Sequence, residues 1–257
     1  MRKIELSKLN EFFGAISEAY KLYIPTDVKS GAEYKEWKDG MTLSEKLNTV
    51  RSAKDFFFPQ TENLMDFKTE GKKIEIIDTR SECEDFVVFG VRACDVRSFD
   101  VLDRVFLAEP VDSYYKNRRE HGVIVSVACT KPAETCFCHT FGIDASDPEG
   151  DVVCHKTDDA LYMEAKTEKG EKLLSHVASL AAECGDEKVE EQKKEIKERL
   201  AKLPLASLSA SAFGKGKTDE FFGAPEWKEL SEACLGCGTC TFVCPTCQCY
   251  DIRDFNT

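Results

Sequence analysis

The 257-residue chain has no excess of positive charge. It carries 47 Asp and Glu residues against 35 Lys and Arg residues, a net charge of -12, and no basic stripe runs along it. A protein that holds a nucleic-acid backbone clusters Lys and Arg against the phosphates. The composition therefore argues against nucleic acid as the main ligand.

Long apolar runs and a secretory leader are also missing. Residues 1–20 have neither an uninterrupted apolar core nor a small-residue cleavage site. No later stretch reaches the roughly 18 apolar residues of a membrane span. We therefore expect a cytoplasmic protein without a membrane span, in a compartment where thiols stay reduced and disulfides are rare.

Recognisable catalytic and nucleotide-binding motifs are absent from the sequence as well. Ser, His and Asp occur, but not in a nucleophile elbow or beside paired carboxylates. No G-x-G-x-x-G follows a predicted strand, so a dinucleotide site is unsupported. We accordingly predict no catalytic residue in this chain.

Hydrophobic periodicity predicts an α/β body for the first part of the chain. Helical spacing is found over residues 7–21, 95–107, 112–120 and 186–203, and a further helix is expected to follow Ser44 and end near Pro59. Short β-rich runs lie at residues 74–77, 86–91, 123–128 and 161–165. The alternation of strands and helices favours an α/β layer with at least partly parallel strands.

Composition also predicts the division of the chain into domains. We expect an α/β (α+β) N-terminal domain over residues 1–205, a Ser-, Gly- and Lys-rich linker over 206–224, and a small, mainly helical, cysteine-rich module over 225–257. The module is distinguished by its cysteines.

Cysteine is what the sequence has in excess, with thirteen residues, six of them close to the C-terminus. The stretch CLGCGTCTFVCP has the spacing C-x2-C-x2-C-x3-C-P, formed by the four residues that we call the cysteine run: Cys234, Cys237, Cys240 and Cys244. This spacing is typical of bacterial ferredoxins, in which thiolates surround an iron–sulfur cubane. Gly236 and Gly238 allow the loop to wrap closely. The sequence therefore predicts a [4Fe–4S] cluster here, and a ferredoxin-like iron–sulfur module over residues 225–257.

A zinc knuckle is the alternative for the same residues. Zinc sites usually combine two C-x2-C pairs across a longer insert and do not need a proline after the last cysteine. The spacing thus favours iron. A zinc-stapled scaffold or adaptor subunit without redox turnover remains the alternative function, and metal analysis separates the two.

The role of Cys244 is left open by the spacing. In two-cluster ferredoxins the fourth cysteine of such a run ligates the other cluster, which a second run completes. The sequence has no second run and ends at Thr257. Either Cys244 closes a single cluster locally, or its cluster is completed by sequence that this chain lacks or by another subunit, and we expect a missing segment. Two tail cysteines, Cys247 and Cys249, are further candidate metal ligands.

A second group of cysteines lies in the predicted α/β body, and we call its members the upstream cysteines: Cys94, Cys129, Cys136 and Cys138. The first is far from the others in sequence, so only the fold can bring the four together. A further cluster or other metal site, plain packing, and a redox pair are three uses of such a group. The remaining three cysteines have no partner at motif spacing and are predicted to pack as small side chains: Cys83, Cys154 and Cys184.

Five segments together resemble a known family. They are FFFPQTENLMDF at 56–67, GVRACD at 90–95, LDRVF at 102–106, CTKPAETCFC at 129–138 and CLGCGTCTFVCPTCQCYD at 234–251. The family is that of the iron–sulfur subunits typified by those of anaerobic sulfite reductase and by the beta subunit of soluble NiFe hydrogenases, the sulfhydrogenases. An ordinary ferredoxin does not continue from CP into TCxCYD, so the resemblance is specific, and it spans most of the chain.

The resemblance implies an electron-transfer subunit with two ferredoxin-type [4Fe–4S] clusters. Its partners would be a flavin- and NAD(P)H-binding or ferredoxin-linked subunit and a catalytic subunit of the NiFe hydrogenase or sulfite reductase type. By resemblance, Cys234, Cys237 and Cys240 hold one cluster, and Cys244 belongs to a second, which a later cysteine run completes in family members. A flavin-binding beta subunit is a further alternative, suggested by the likeness of GVRACD to deazaflavin-reducing hydrogenases, although the sequence has no flavin motif.

Overall fold

The structure is a computed structural model that describes residues 1–214 and 216–254, without the side chains of residues 81, 82 and 212. Residue 215 of the predicted linker and residues 255–257 of the predicted module lie outside the described residues. The strands are β1 (Arg2–Glu5), β2 (Lys21–Val28), β3 (Gly31–Glu36), β4 (Met65–Glu70), β5 (Lys73–Asp78), β6 (Phe86–Val91), β7 (Gly122–Val127), β8 (Val152–Lys156), β9 (Ala160–Ala165) and β10 (Ala182–Glu183).

Eight of these strands make one mixed sheet in the order β10-β1-β9-β8-β7-β6-β2-β3, and β4 and β5 pair with each other separately. The helices are α1 (Leu9–Ser17), α2 (Ala93–Phe106), α3 (Ser113–His121), α4 (Glu168–His176), α5 (Glu187–Leu200), α6 (Lys217–Glu220), α7 (Glu226–Ser231) and α8 (Thr239–Val243). Within the described ranges, no helix is both long and apolar enough to cross a bilayer.

The centre of the sheet is parallel, because β2, β6, β7 and β8 pair with one another in that sense. A parallel connection needs a crossover, and α2 and α3 supply the one between β6 and β7. The carboxyl ends of these strands consequently lie along one edge of the sheet. This edge positions the candidate site.

The central strands are apolar on both faces because helices cover both sides of the sheet. Along β6, Val87 and Phe89 join the core cluster that contains α1 and α4, whereas Phe86 and Val88 join the cluster that contains α2. The alternation follows the two-residue period of a strand. Strands buried on both faces read as continuous apolar runs, which is how β6 and β7 stand out in the sequence.

The helix predicted after Ser44 is wrong. Residues 44–59 contain only a 3-10 turn, Ala53–Phe56, among the described residues. The reason is visible in the three consecutive aromatic residues at 56–58, which all pack against the one apolar cluster that contains α2. Phe57 packs on Phe99, whereas Phe58 stacks on Phe106. A helix turns consecutive side chains in different directions, so it could not present all three aromatic residues to one cluster.

The hairpin of β4 and β5 has an exposed apolar face. Phe67 pairs with Ile76 and Thr69 pairs with Ile74, so these side chains share one face. Ile74 is 70% exposed and Ile76 is 68% exposed. The hairpin thus contributes little burial to the core.

Candidate metal centres

Two upstream cysteines lie at the carboxyl ends of neighbouring parallel strands. Cys94 occupies the first turn of α2, directly after β6, and Cys129 follows β7. Cys138 begins a 3-10 turn, Cys138–Phe141, and its side chain packs in the same apolar cluster as Cys129. Ligands in α/β proteins commonly bind at this edge of the sheet. The fold therefore brings together cysteines that are separated in sequence.

The upstream thiols are close enough to influence one another's ionisation. Although Cys94 as a residue is exposed, the atoms packed around its sulfur raise its pKa to about 12 by desolvation, and the charges of Asp95, Cys138 and Cys129 add to the rise. Burial likewise raises the pKa of Cys138 to about 11, with Cys129 and Cys136 contributing. The four upstream cysteines thus lie within electrostatic reach of one another.

Arg92 is a functional candidate that sequence analysis missed. Its Nε donates to the carbonyl of Leu47 at 3.0 Å, and its Nη1 donates to the carbonyl of Ala128 at 3.3 Å. Burial raises the pKa of Cys129, and the Arg92 guanidinium opposes that rise. A fixed cation thus stands beside the buried thiol, where it stabilises the thiolate form that binds metals. Its place in GVRACD is the only signal that the sequence offers.

The cysteine run lies on an exposed loop that leads into α8. Gly236 has φ +66° and Gly238 has φ +73°, a left-handed conformation that glycine adopts at low cost. The backbone N–H of Gly236 points at the sulfur of Cys234 at 3.4 Å. Cys240 sits in α8. The structure thus gives both glycines the left-handed conformation that permits tight turns between the cysteines.

Hydroxyl groups accompany two thiols of the run. Hydrogen bonds from the side chain and backbone of Thr239 lower the pKa of Cys237. At Cys244, burial opposes the shift, but hydrogen bonds from Thr246 and Cys247 prevail and lower its pKa. Both sulfurs are biased toward the thiolate form, which is the metal-binding form. The Cys-x-Thr repeat that produces these contacts is visible in the sequence, although its spacing alone does not indicate a function.

The tail cysteines differ in position. Cys247 is half-buried and hydrogen-bonded with Cys244, which raises the pKa of Cys247. Cys249 is exposed. The structure therefore associates Cys247 with the cysteine run.

The donor set fits a [4Fe–4S] cluster in kind and number. The run supplies four thiols, its glycines take the left-handed conformation of a close-wrapping loop, and N–H and O–H donors face the sulfurs. In the part of the chain that the structure describes, no three Cys, His, Asp or Glu side chains are already arranged to hold one metal ion. The fit thus rests on the donor chemistry and the loop conformation.

The other three cysteines lie apart from these groups. Cys154 is fully buried in β8 within the main core, and Cys83 and Cys184 are half-buried. Their burial agrees with the predicted packing role. They serve as matched controls for substitutions in the candidate centres.

Comparison with known proteins identifies the family. The chain is 31% identical over 253 residues to sulfhydrogenase 2 subunit beta of Pyrococcus furiosus, which covers 98% of this chain and 73% of that protein. The chain belongs to the sulfhydrogenase beta subunit family. The hydrogenase part of the resemblance is thereby confirmed, whereas the two-cluster content stays a prediction. No family model and no solved structure matches the chain.

Proposed function

We propose that the chain is an iron–sulfur electron-transfer subunit of a multi-subunit hydrogenase. It relays electrons between a flavin- and NAD(P)H-binding or ferredoxin-linked subunit and a NiFe catalytic subunit. The observation that carries the proposal is the C-x2-C-x2-C-x3-C-P run on a loop with two left-handed glycines. Membership of the sulfhydrogenase beta subunit family supports the assignment to a hydrogenase.

The residues of the run have distinct tasks in this proposal. Cys234, Cys237 and Cys240 ligate one [4Fe–4S] cluster, and Cys244 ligates the same cluster or a second one. When bound, such a cluster accepts and releases one electron at a time. The chain forms and breaks no covalent bond, since each electron that enters from the donor subunit leaves to the acceptor subunit.

The exposure of the run suits a relay. Leu235, between the first two cysteines, is 92% exposed, and Phe242 in α8 is also exposed. A partner can therefore approach the loop directly. An apolar, exposed rim around a redox loop also offers surface for a protein interface.

We further propose that the upstream cysteines form a second metal centre. Two observations support this use. Cys94 and Cys129 lie at the carboxyl ends of neighbouring parallel strands, and Cys138 packs in the apolar cluster of Cys129. Arg92 balances part of the thiolate charge there.

Metal and sulfide analysis tests the main proposal. The anaerobically reconstituted protein is expected to hold about four iron atoms and as many inorganic sulfides per cluster, with broad visible absorption and an EPR signal after reduction. Cys240→Ala is expected to lose the cluster of the run, whereas the control Cys184→Ala keeps it.

Two results would count against the relay. Stoichiometric zinc without iron in the native protein supports the zinc-stapled scaffold instead. Equal iron and sulfide in Cys240→Ala and in the wild type would show that the run is not the ligand set.

A further inference from the structure

Lys54 is a buried lysine that contacts the cysteine run from 190 residues away in sequence. It is 6% exposed. Its Nζ donates hydrogen bonds to the carbonyl oxygens of Cys244 at 2.9 Å and of Cys247 at 3.0 Å. Lysine is almost never buried without such partners, because removing an ammonium from water is costly.

The backbone around Lys54 is held firmly in the core. The 3-10 turn Ala53–Phe56 is capped by Ser52, whose Oγ accepts from the backbone N–H of Lys54 at 3.1 Å. Ala53 and Phe57, on either side of this lysine, are fully buried in the cluster that contains α2. The ammonium therefore projects from a fixed support toward the C-terminal segment.

Neighbouring contacts place the run beside the upstream cysteines. Phe58 and Tyr250 meet edge to face with ring centroids 6.4 Å apart. Val243, which precedes the last cysteine of the run, lines one cleft together with Cys94 and Asp95. The C-terminal segment thus sits on the same edge of the fold as the second candidate centre.

We propose that Lys54 is a positioning residue, which docks the cysteine run on the α/β body through the carbonyls of Cys244 and Cys247 and places a positive charge beside the run. The proposal rests on the proposed function, since it takes the run as the ligand of a cluster. It goes further by naming a residue outside every cysteine motif that sets both the position and the reduction potential of that cluster.

The positive charge of Lys54 is expected to raise the midpoint potential of the cluster. Thiolate-ligated clusters are anionic, and adding an electron increases the negative charge, so a nearby cation favours the reduced state. Hydrogen bonds, net charge and solvent exposure are known levers on cluster potential. Removing the ammonium is therefore expected to lower the midpoint potential.

Three variants of the full-length reconstituted protein test the proposal. Lys54→Met removes the charge and both hydrogen bonds but keeps an apolar chain of similar length. Lys54→Arg keeps the charge and the donors. Lys8→Met removes an exposed lysine of the N-terminal part and is the matched control.

Two measurements distinguish the docking of the segment by Lys54 from the effect of its charge on the reduction potential. Hydrogen–deuterium exchange over residues 225–254 is expected to rise at least tenfold in Lys54→Met, and to stay near the wild type in the other two variants. The midpoint potential in an EPR-monitored redox titration is expected to fall by about 59 mV in Lys54→Met, a tenfold change in a one-electron equilibrium. Lys54→Arg retains the wild-type potential.

A labelling experiment on the unsubstituted protein covers the case in which Lys54→Met does not fold. Reductive methylation is expected to modify Lys54 at least tenfold more slowly than Lys8. Equal rates at the two lysines, or wild-type exchange and potential in a folded Lys54→Met protein, overturn the proposal. If the unsubstituted protein binds no cluster, the proposed function fails instead. Hydrogen–deuterium exchange and reductive methylation then still decide whether Lys54 docks the C-terminal segment.

Discussion

The hydroxyl oxygen of Thr239 lies 3.2 Å from the sulfur of Cys237, and the same relationship recurs between Thr246 and Cys244 at 3.3 Å. In both cases the threonine follows the cysteine by two residues, so the loop repeats one local geometry. Each hydroxyl stabilises negative charge on the sulfur, as the lowered pKa of Cys237 shows. The threonines are thus placed to tune whatever the sulfurs bind.

Thr239→Val tests this tuning. The substitution keeps the side-chain shape but removes the hydroxyl, so the sulfur of Cys237 carries more uncompensated charge. We expect the midpoint potential to fall by up to about 59 mV, a tenfold change in a one-electron equilibrium, with unchanged iron content. The control is Thr218→Val in α6. A midpoint potential equal to that of the wild type would show that the Thr239 hydroxyl does not tune the cluster.

The upstream cysteines give a second prediction. Cys136→Ser, in the loop before the 3-10 turn, is expected to lower the metal content by the share of the second centre and to leave the EPR signal of the cysteine run intact. Cys83→Ser is the matched control, since Cys83 is also half-buried. Unchanged metal content in Cys136→Ser would favour packing as the role of this group. Inductively coupled plasma analysis of both variants makes the comparison.

Most of the correct structural predictions came from the hydrophobic pattern within single segments. The run at residues 86–91 is β6 in the structure, and the helical spacing over 186–203 corresponds to α5, which buries Val189, Ile196 and Leu200. Each of these elements can be read from its own segment. A helix with one buried face repeats its apolar residues with the helical period, and a strand buried on both faces is a short continuous apolar run. The cysteine run is recognisable for a different reason, because its four residues have a fixed spacing within one short segment.

Elements that depend on distant partners were not predictable. β2 contains Pro25, which argues against a strand in a sheet interior. However, β2 pairs with β6 only through Lys21, Leu22 and Tyr23, so Pro25 lies beyond that ladder and stands opposite Tyr34 in the pairing with β3. The position of Lys54 depends in the same way on how distant parts of the chain pack, which no spacing in the sequence records.

Stability is expected to depend strongly on α2 and weakly on the hairpin. Leu102 is 0% exposed in the cluster beneath α2. Leu102→Ala leaves a cavity and is expected to reduce the free energy of unfolding by about 2–5 kcal/mol. Ile74→Thr, on the exposed face of the hairpin, is expected to change it by less than about 0.5 kcal/mol. Urea unfolding of the two variants compares them, and equal losses would contradict the assignment of the core.

His155 in β8 is expected to make stability depend on pH. It is 2% exposed, and its Nδ1 lies 3.3 Å from the Oε1 atom of Gln192. Burial lowers the pKa of His155, and Lys193 lowers it further, whereas the hydrogen bond to Gln192 and the charges of Asp147 and Glu164 act in the opposite direction. The folded state therefore holds this imidazole neutral at a pH where the unfolded chain would protonate it.

The sign of the effect follows from proton binding. Below the ordinary histidine pKa of about 6.5, the unfolded state binds more protons at His155 than the folded state, so acidification stabilises the unfolded state. The wild type is expected to lose unfolding free energy as the pH falls from 7.5 toward the lowered pKa.

His155→Asn, whose amide can still face Gln192, is expected to lose less over the same range, because it has no proton to take up. His176→Asn is the control, because it replaces an exposed histidine by the same residue. Urea unfolding at several pH values measures the three proteins, and an identical pH slope in the wild type and His155→Asn would show that the buried imidazole contributes nothing.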